Sequence, residues 1–361
     1  MSRFEKDVLG MIPQEDWLDA GFDKSFVSRP NDPVDALVGD LRTDNILATW
    51  ETIAAEFQTP VMAQYHAFDA EAQKTFRPPV DSHEIEKGLI KVKLDLSERL
   101  RALTRSGVKN DALYDYVMND GIRLADQVVT RAHVAKNEML ATGAISINEN
   151  GLNLAVDYGV PADQKGLSID FGTGAADPVD VQLETLKLTA AGKGVNLNGA
   201  VTSRSFLNKL RKNAAIQKAI NGNNRQGALV PMAELLAYLS SEYGLDNVVI
   251  NDLTYGVAGP VVNGRPTQVQ RRYFPINGIT FFAAAPNGKL GDGLWGDPPE
   301  TDVQQLLESV EGSEVNPFVF ITQWSEHDPA VLWTKASALF IPVLYQPTSL
   351  FIATGIETSP A

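Results

Sequence analysis

The feature that most constrains this chain is the stretch 110–141, where apolar side chains return at spacings of three, four or seven. Leu113, Val117, Leu124, Val128, Ala132 and Met139 share one face, and Asp115, Asp120, Arg123, Asp126 and Arg131 hold the other. The pattern predicts one amphipathic helix, stopped by Gly143. At a rise of 1.5 Å per residue it would be a rod roughly 48 Å long. Leu124 and Val128 are its expected buried positions.

At 361 residues the chain exceeds the size at which one core normally stops growing, so two sub-domains are expected. Residues 1–50 mix charge, Pro13, Pro30 and Pro33 with short apolar pieces, and read as an arm without a core of its own. From Ile53 to Val92 the chain looks extended, with strands at 53–57 and 89–94 and a long polar loop from Ala63 to His83 between them. A loop of that length usually belongs to a partner or a function. After the rod, Ala144–Ile147 and Leu152–Val156 alternate around Asn150-Gly151, which predicts a tight hairpin. Asp177-Pro178 opens a helix carrying Val179, Leu183 and Leu186 that Gly192 closes. A basic helix is expected over 204–220 behind Ser203, and another from Pro231 to Gly244. Asn247–Asn251 reads as a buried strand, and Asn263-Gly264 and Asn277-Gly278 punctuate strands through Phe282. Residues 286–314 read as an acidic Gly/Pro-rich loop, followed by strands at 318–321 and 338–345. The class is α+β.

The chemistry searched for is absent. There is no cysteine, which removes thiolate metal sites, disulfides and cysteine nucleophiles together. The four histidines, 66, 83, 133 and 327, share no metal-binding spacing, and His83-Glu84 lacks the second histidine of a zinc-protease helix. Gly291-Asp-Gly-Leu-Trp-Gly296 matches the dinucleotide-binding string, but Asp297-Pro298-Pro299 forbids the helix that motif needs. No phosphate loop or nucleophile elbow is present. No apolar run is long enough for a membrane span, and Met1 to Asp7 is too charged for a secretory signal. A net charge of −14 argues against broad nucleic-acid binding by the outer surface, without excluding a container for nucleic acid. The reading is of no enzyme, no cofactor and no metal.

Three segments resemble the lambda-type family of phage major capsid proteins, whose fold is shared by tailed-phage shells and encapsulins. Arg131–Gly143 followed by Ile145–Ile147 resembles the end of that family's spine helix passing into its hairpin. Asp177–Asp180, the helix after it, Val195–Val201 and Ser203–Leu210 resemble the start of the domain around the capsomer axis. Trp333–Pro342 resembles the terminal strands returning to the spine. The likeness covers most of residues 50–355. It implies an N-terminal arm (1–50), an extended loop with flanking strands (51–94), a peripheral domain (95–175), an axial domain (176–330) and returning strands (331–361). It further implies a shell of hexamers and pentamers enclosing DNA without sequence-specific binding, assembled in the host cytoplasm, with a portal and possibly a decoration protein as partners. The first fifty residues are too short for the internal scaffold of some relatives, so a separate scaffold protein is expected. No catalytic residue carries over. The rivals are an encapsulin-type compartment and, from another class, a soluble hydrolase with an unrecognised carboxylate pair.

Charge is segregated. Between Glu184 and Glu234 lie Lys187, Lys193, Arg204, Lys209, Arg211, Lys212, Lys218 and Arg225 with no acid among them. Asp292, Asp297, Glu300, Asp302, Glu308, Glu311 and Glu314 form a nearly mirrored acidic run. Either both are solvated faces, or the basic segment meets a neighbour's acidic loop, an acidic scaffold or packaged DNA. The expected inter-subunit residues are Lys74 and Arg77 on the long loop, Arg204, Lys209, Arg211 and Lys212 on the basic side, and Asp292, Asp297 and Glu300 opposite.

Overall fold

The computed structural model describes residues 31–53, 80–96, 111–172, 175–222, 228–262, 265, 267–285, 287–301, 311–315, 318–327 and 330–358. Between 53 and 80 it also describes residues 62–66, 68, 71, 74, 77 and 79, and every structural statement below concerns these residues. A 3-10 turn, Pro33–Ala36, comes first, capped by Asp32. Then follow β1 (Val38–Arg42), β2 (Leu47–Ile53), β3 (Val80–Glu86) and β4 (Gly88–Leu96). The rod is α1, Asp111–Thr142, and Gly143 ends it at φ 69°, a conformation that resists any side chain. The hairpin is β5 (Ala144–Glu149) and β6 (Leu152–Asp157), turned through Asn150 at φ 48° and Gly151 at φ 86°. Two positive φ values in succession match the right-handed twist of the strands they join.

After the hairpin come β7 (Leu167–Asp170), α2 (Val179–Gly192), β8 (Gly199–Thr202), α3 (Arg204–Lys212), α4 (Ala214–Asn221), α5 (Met232–Tyr243) and β9 (Asn247–Ile250). A two-stranded ribbon, β10 (Thr254–Ala258) and β11 (Gln268–Arg272), precedes β12 (Gly278–Phe282). The chain then runs through β13 (Gly291–Gly296), β14 (Glu311–Val315), β15 (Val319–His327), β16 (Ala330–Leu344) and β17 (Leu350–Ile356).

Two sheets organise the molecule. The first has the order β1-β13-β16-β15-β14, with β4 also on β16. β16 meets β15 along 330–337 and β13 along 339–344, while β4 lies along 332–340 on its other edge. The second sheet has the order β7-β17-β12-β8-β9, with β7 and β9 joined in parallel at its two edges. Its strands alternate, and the alternation separates two cores. Val201, Phe282, Leu350 and Ile352 pack with α1 and the first sheet, where Leu124, Val128, Ala132 and Met139 lie buried as expected. Ala200, Ile279, Phe281, Phe351 and Ala353 face the other way, onto Leu183, Phe206, Leu207, Leu210 and Leu235 of the helical layer. Each large apolar side chain so buried contributes about 1.5–3 kcal/mol.

Six local expectations are corrected. Residues 33–42 are no loose arm: Val34, Leu37 and Val38 are buried, and β1 pairs in parallel with β13. The strand expected from Ile53 runs instead from Leu47 to Ile53, and residues 54–57 lie outside the described residues. The basic helix over 204–220 is two helices, because Asn213 leaves helical geometry (ψ 132°) and caps α4 by accepting from the Ala215 amide at 3.0 Å. β9 is a half-buried edge strand. The acidic loop of 286–314 contains a fully buried strand, β13, pairing β1 on one side and β16 on the other. Of the terminal strands, β16 returns to the spine, while β17 joins the axial sheet between β7 and β12.

Candidate assembly surfaces

What a subunit presents to its neighbours is fixed by what holds its elements rigid, and here polar groups buried against the spine do much of that holding. Asp32 is 3% exposed. Its carboxylate accepts from the Asn137 amide of α1 at 2.7 Å, from Asn251 just after β9 at 2.9 Å and from the Val34 N–H at 3.0 Å. Asn251 also donates to Asn137 Oδ1 at 2.8 Å. Burial raises the pKa of Asp32 against the pull of these donors. One node therefore ties the start of the described chain, the spine and the axial sheet together.

Beside it, the fully buried Lys136 pairs with Asp35 at 2.8 Å and Asp40 at 2.9 Å, and Asp40 accepts from the Trp295 indole at 2.6 Å. Burial works against the Asp35 carboxylate as well, but the His133 ring (3.3 Å) and the Lys136 ammonium prevail and hold its pKa below the ordinary range. A second buried cation, Lys87, donates to the carbonyls of Thr43 (2.9 Å), Asn45 (2.5 Å) and Trp295 (3.2 Å), and burial lowers its pKa. Close neighbours explain the glycine string of β13. A Cβ on Gly291 would collide with the Val343 carbonyl oxygen, one on Gly293 would stand 2.7 Å from Phe340, 2.9 Å from Asp40 and 3.0 Å from Lys136 Cε, and one on Gly296 would stand 2.8 Å from Lys87 Nζ. The string that imitates a dinucleotide motif is a strand left bare because backbone and side chains of other elements press on it.

The charged residues expected at subunit boundaries fall into two groups. Asp292 is buried and held by Lys289 at 2.9 Å and the Tyr345 hydroxyl at 2.7 Å. Asp297 pairs with Arg42 at 2.7 Å, and Glu300 pairs with Lys335. Burial opposes the charge on Glu300, yet Lys335 keeps its pKa lowered. On the basic side Lys209 pairs with Glu357 at 2.9 Å, and Arg211 donates to the Val230 carbonyl at 2.6 Å. Arg204 remains two-thirds exposed despite a 3.5 Å approach to Asp252. Lys212 is exposed and makes no ion pair among the described residues, and Lys74 and Arg77 are exposed as well.

The segment carrying Lys74 and Arg77 differs from its expected character. It reads as polar and poor in apolar anchors, yet Met62 is 85% exposed and Tyr65 and Phe68 are wholly exposed. At its base β2 and β3 pair over Leu47–Ile53 and Val80–Glu86, with Trp50 stacked on His83 at 5.2 Å and the Thr52 hydroxyl 2.8 Å from the His83 ring. The base is built; the apolar side chains beyond it face outward.

Sequence reasoning missed Asp32, Lys87, Lys136 and Asn137. One signal was available: Lys136 and Asn137 fall among Ala132, Ala135, Met139 and Leu140 on the buried side of the rod, where a polar residue needs a partner. Among the described residues no group of three acidic or histidine side chains could hold a metal, and no helix is long and apolar enough to cross a membrane.

A spine helix under one sheet, a second sheet carrying a helical layer and an outward segment on a two-stranded base together make the tailed-phage capsid fold, a class of shell subunit. A capsid protein assigned to a prophage of E. coli CFT073 shares this fold at a TM-score of 0.54 and 12% identity, over 97% of this chain and 99% of that one. Similarity also extends to the cyanophage A-1(L) capsid (TM-score 0.48, 13% identity, 96% of this chain and 98% of that one). The virus-like particle of Pyrococcus furiosus gives a TM-score of 0.42 at 12% identity, over 98% of this chain and 100% of that one. A search of curated proteins finds no match. The profile of the family described as phage major capsid protein E matches residues 55–355, and the chain belongs to that family. It is a structural protein of the virion that assembles into the head shell, as the resemblance implied, and the family match decides for this reading over the encapsulin and the hydrolase.

Proposed function

We propose that the chain builds its shell from rings of six and five copies, and that the segment between β2 and β3 lies on a neighbouring subunit. The observation that carries this is the exposure of Met62, Tyr65 and Phe68. Three large apolar side chains standing in water forfeit several kcal/mol, at about 1.5–3 kcal/mol each, that a neighbour's surface returns. Lys74, Arg77, Arg204 and Lys212 keep exposed charge and make contacts between copies. Lys209, Arg211, Asp292, Asp297 and Glu300, each engaged within its own chain, shape those contacts from behind. In this reading residues 95–175 form the peripheral domain and residues 176–330 the axial domain. The remaining partners proposed are a separate scaffold during assembly in the host cytoplasm and a portal, with or without a decoration protein on the outside.

Limited trypsin digestion tests the segment. Lys74 should be cut within minutes in free subunits and protected in closed particles, whereas Arg77 precedes Pro78 and resists trypsin in both; equal cutting at Lys74 in both states would refute the contact. Electron microscopy of the same particles reports the rings, and particles without rings of six and five copies would refute them.

A further inference from the structure

The helical layer over the axial sheet is electrically polarised. α4 and α5 pack on each other and each touches both α2 and α3, which share no comparable packing, so α2 and α3 flank the pair. α3 carries Arg204, Lys209, Arg211 and Lys212 and no acid, its apolar side Phe206, Leu207 and Leu210 being buried. Lys212 and the neighbouring Lys218 of α4 are exposed and make no ion pair among the described residues. Around α2 acids outnumber bases, Asp180 and Glu184 against Lys187 on α2, with Glu234 and Glu242 on α5. Glu184 of α2 and Glu242 of α5 are exposed, and neither carboxylate has an ion pair among the described residues. They belong to one patch: Lys187 reaches the Glu242 carbonyl at 3.3 Å, and Tyr243 beside it has its pKa raised by burial and by the nearby charges of Asp180 and Glu184.

The outer face of α2 is also apolar. Val181 is 40% and Leu188 is 65% exposed, and their seven-residue spacing puts them on one stripe with Thr185. The hydroxyls of Thr185 and Thr189 each bond a carbonyl of their own helix at 2.8 Å, at Val181 and Thr185 respectively. That geometry satisfies the polar atom locally and leaves methyl groups toward solvent. The basic flank has apolar points of its own. Ile276, 50% exposed, is held by its carbonyl to Ser203 at the start of α3, and Leu229, 57% exposed, lies next to the Val230 carbonyl that Arg211 grips.

We infer that the basic face of α3 and α4 in one copy docks on the stripe Val181–Leu188 and the acids Glu184 and Glu242 of α2 and α5 in the next copy, closing the ring of axial domains. The occupant of each face is a second copy of this chain, because the two faces are complementary in charge and lie on opposite flanks of one layer. Two different faces in contact make a heterologous, head-to-tail interface, which is the kind that closes into a ring. Lysine stems cover the apolar stripe while their ammonium groups reach the carboxylates. The acidic residues of 292–300, spent on Lys289, Arg42 and Lys335 of their own chain, do not serve as this partner.

The inference goes beyond shell formation, and a paired charge swap tests it on the full chain. Lys212→Glu with Lys218→Glu reverses the basic face, and Glu184→Lys with Glu242→Lys reverses the acidic one; among the described residues none of these side chains has an ion pair to lose. Assembly is followed by light scattering at low salt, and circular dichroism with thermal melting reports the free subunit. Each two-residue variant should melt like wild type and assemble at least about tenfold more slowly. The four-residue chain, with both faces reversed, should return to within about threefold of the wild-type rate, and its rate should fall as salt rises, as the wild type's does. A four-residue chain no faster than the two-residue variants, or two-residue variants that assemble at the wild-type rate, would overturn the inference. Closed wild-type particles in parallel micrographs keep that failure separate from any failure of the shell reading.

Discussion

The spine region and the axial helical layer bury similar kinds of apolar surface but place their charges in opposite ways. Around α1, charged groups are inside: Lys136 and Lys87 are buried, and Asp32 and Asp35 are held by donors from several elements. In the axial layer the core of Leu183, Phe206, Leu207, Leu210 and Leu235 is apolar, and the charges of α3, α4 and α5 stand largely at the surface. Apolar packing is non-directional, whereas a buried ion pair works only in one geometry. The contrast teaches a division of labour. Directional bonds fix the spine relative to the first sheet, and the helical layer leaves most of its charges at the surface.

The sharpest way to break this comparison is to remove one lysine from each region. Lys136→Met strips the partly exposed Asp35 and Asp40 of the buried cation they share and should cost roughly 2–3 kcal/mol in urea denaturation of the free subunit. Lys212→Met should change stability by less than about 0.5 kcal/mol. Similar losses from both would mean that the axial charges are structural too. The next test asks whether the two cores are equal: Leu124→Ala in the first and Leu207→Ala in the second should each cost about 2–5 kcal/mol. A cheap loss at either position would show that its core collapses around the cavity. A third variant sharpens the role of the bare strand. Gly293→Ala forces its new methyl against Phe340, Asp40 and Lys136, and should cost about 1–3 kcal/mol. An unchanged melt would show that those side chains have room to yield.

The smallest effect is one of pH. The Asp35 pKa is lowered in the folded chain, so its stabilisation is present above the ordinary carboxylate value of 3.8 and is lost as pH falls below it. Asp32 has the opposite sign: its raised pKa makes the folded state bind the proton first, so acidification toward 3.8 relieves a penalty there. In Asp35→Asn the stability deficit relative to wild type should therefore hold from pH 7 to about 5 and shrink below pH 3.8. Denaturation across that range measures it, and a deficit independent of pH would show that the Asp35 charge does not matter.

Much of the spine was legible in the sequence because its signals are local. Leu124, Val128, Ala132 and Met139 announce the rod, and Asn150-Gly151 announces the turn. The helix behind Pro178 and the helix from Pro231 to Gly244 were legible for the same reason. The polar node was not: Asp32 bonds Asn137 and Asn251 across sequence separations of 105 and 219, and no periodicity connects such residues. β13 was illegible because its glycines are required by distant neighbours, Val343 at Gly291, Phe340 at Gly293 and Lys87 at Gly296, so the string resembled a loop. The break at Asn213 was hidden by the apolar continuity of Leu210 and Ile216 across it. Of the surfaces, the charge segregation was visible in composition order, but the engagement of Asp292, Asp297 and Glu300 within their own chain depends on Lys289, Arg42 and Lys335.

The contact between Gly296 and Lys87 also bears on substitution. A methyl at position 296 is blocked chiefly by the Lys87 ammonium at 2.8 Å, with Leu339 Cβ the next neighbour at 3.3 Å. A larger residue at 296 must therefore push the Lys87 ammonium off the Thr43, Asn45 and Trp295 carbonyls it holds, and a shorter residue at 87 would remove that conflict. The two positions are coupled in what they tolerate.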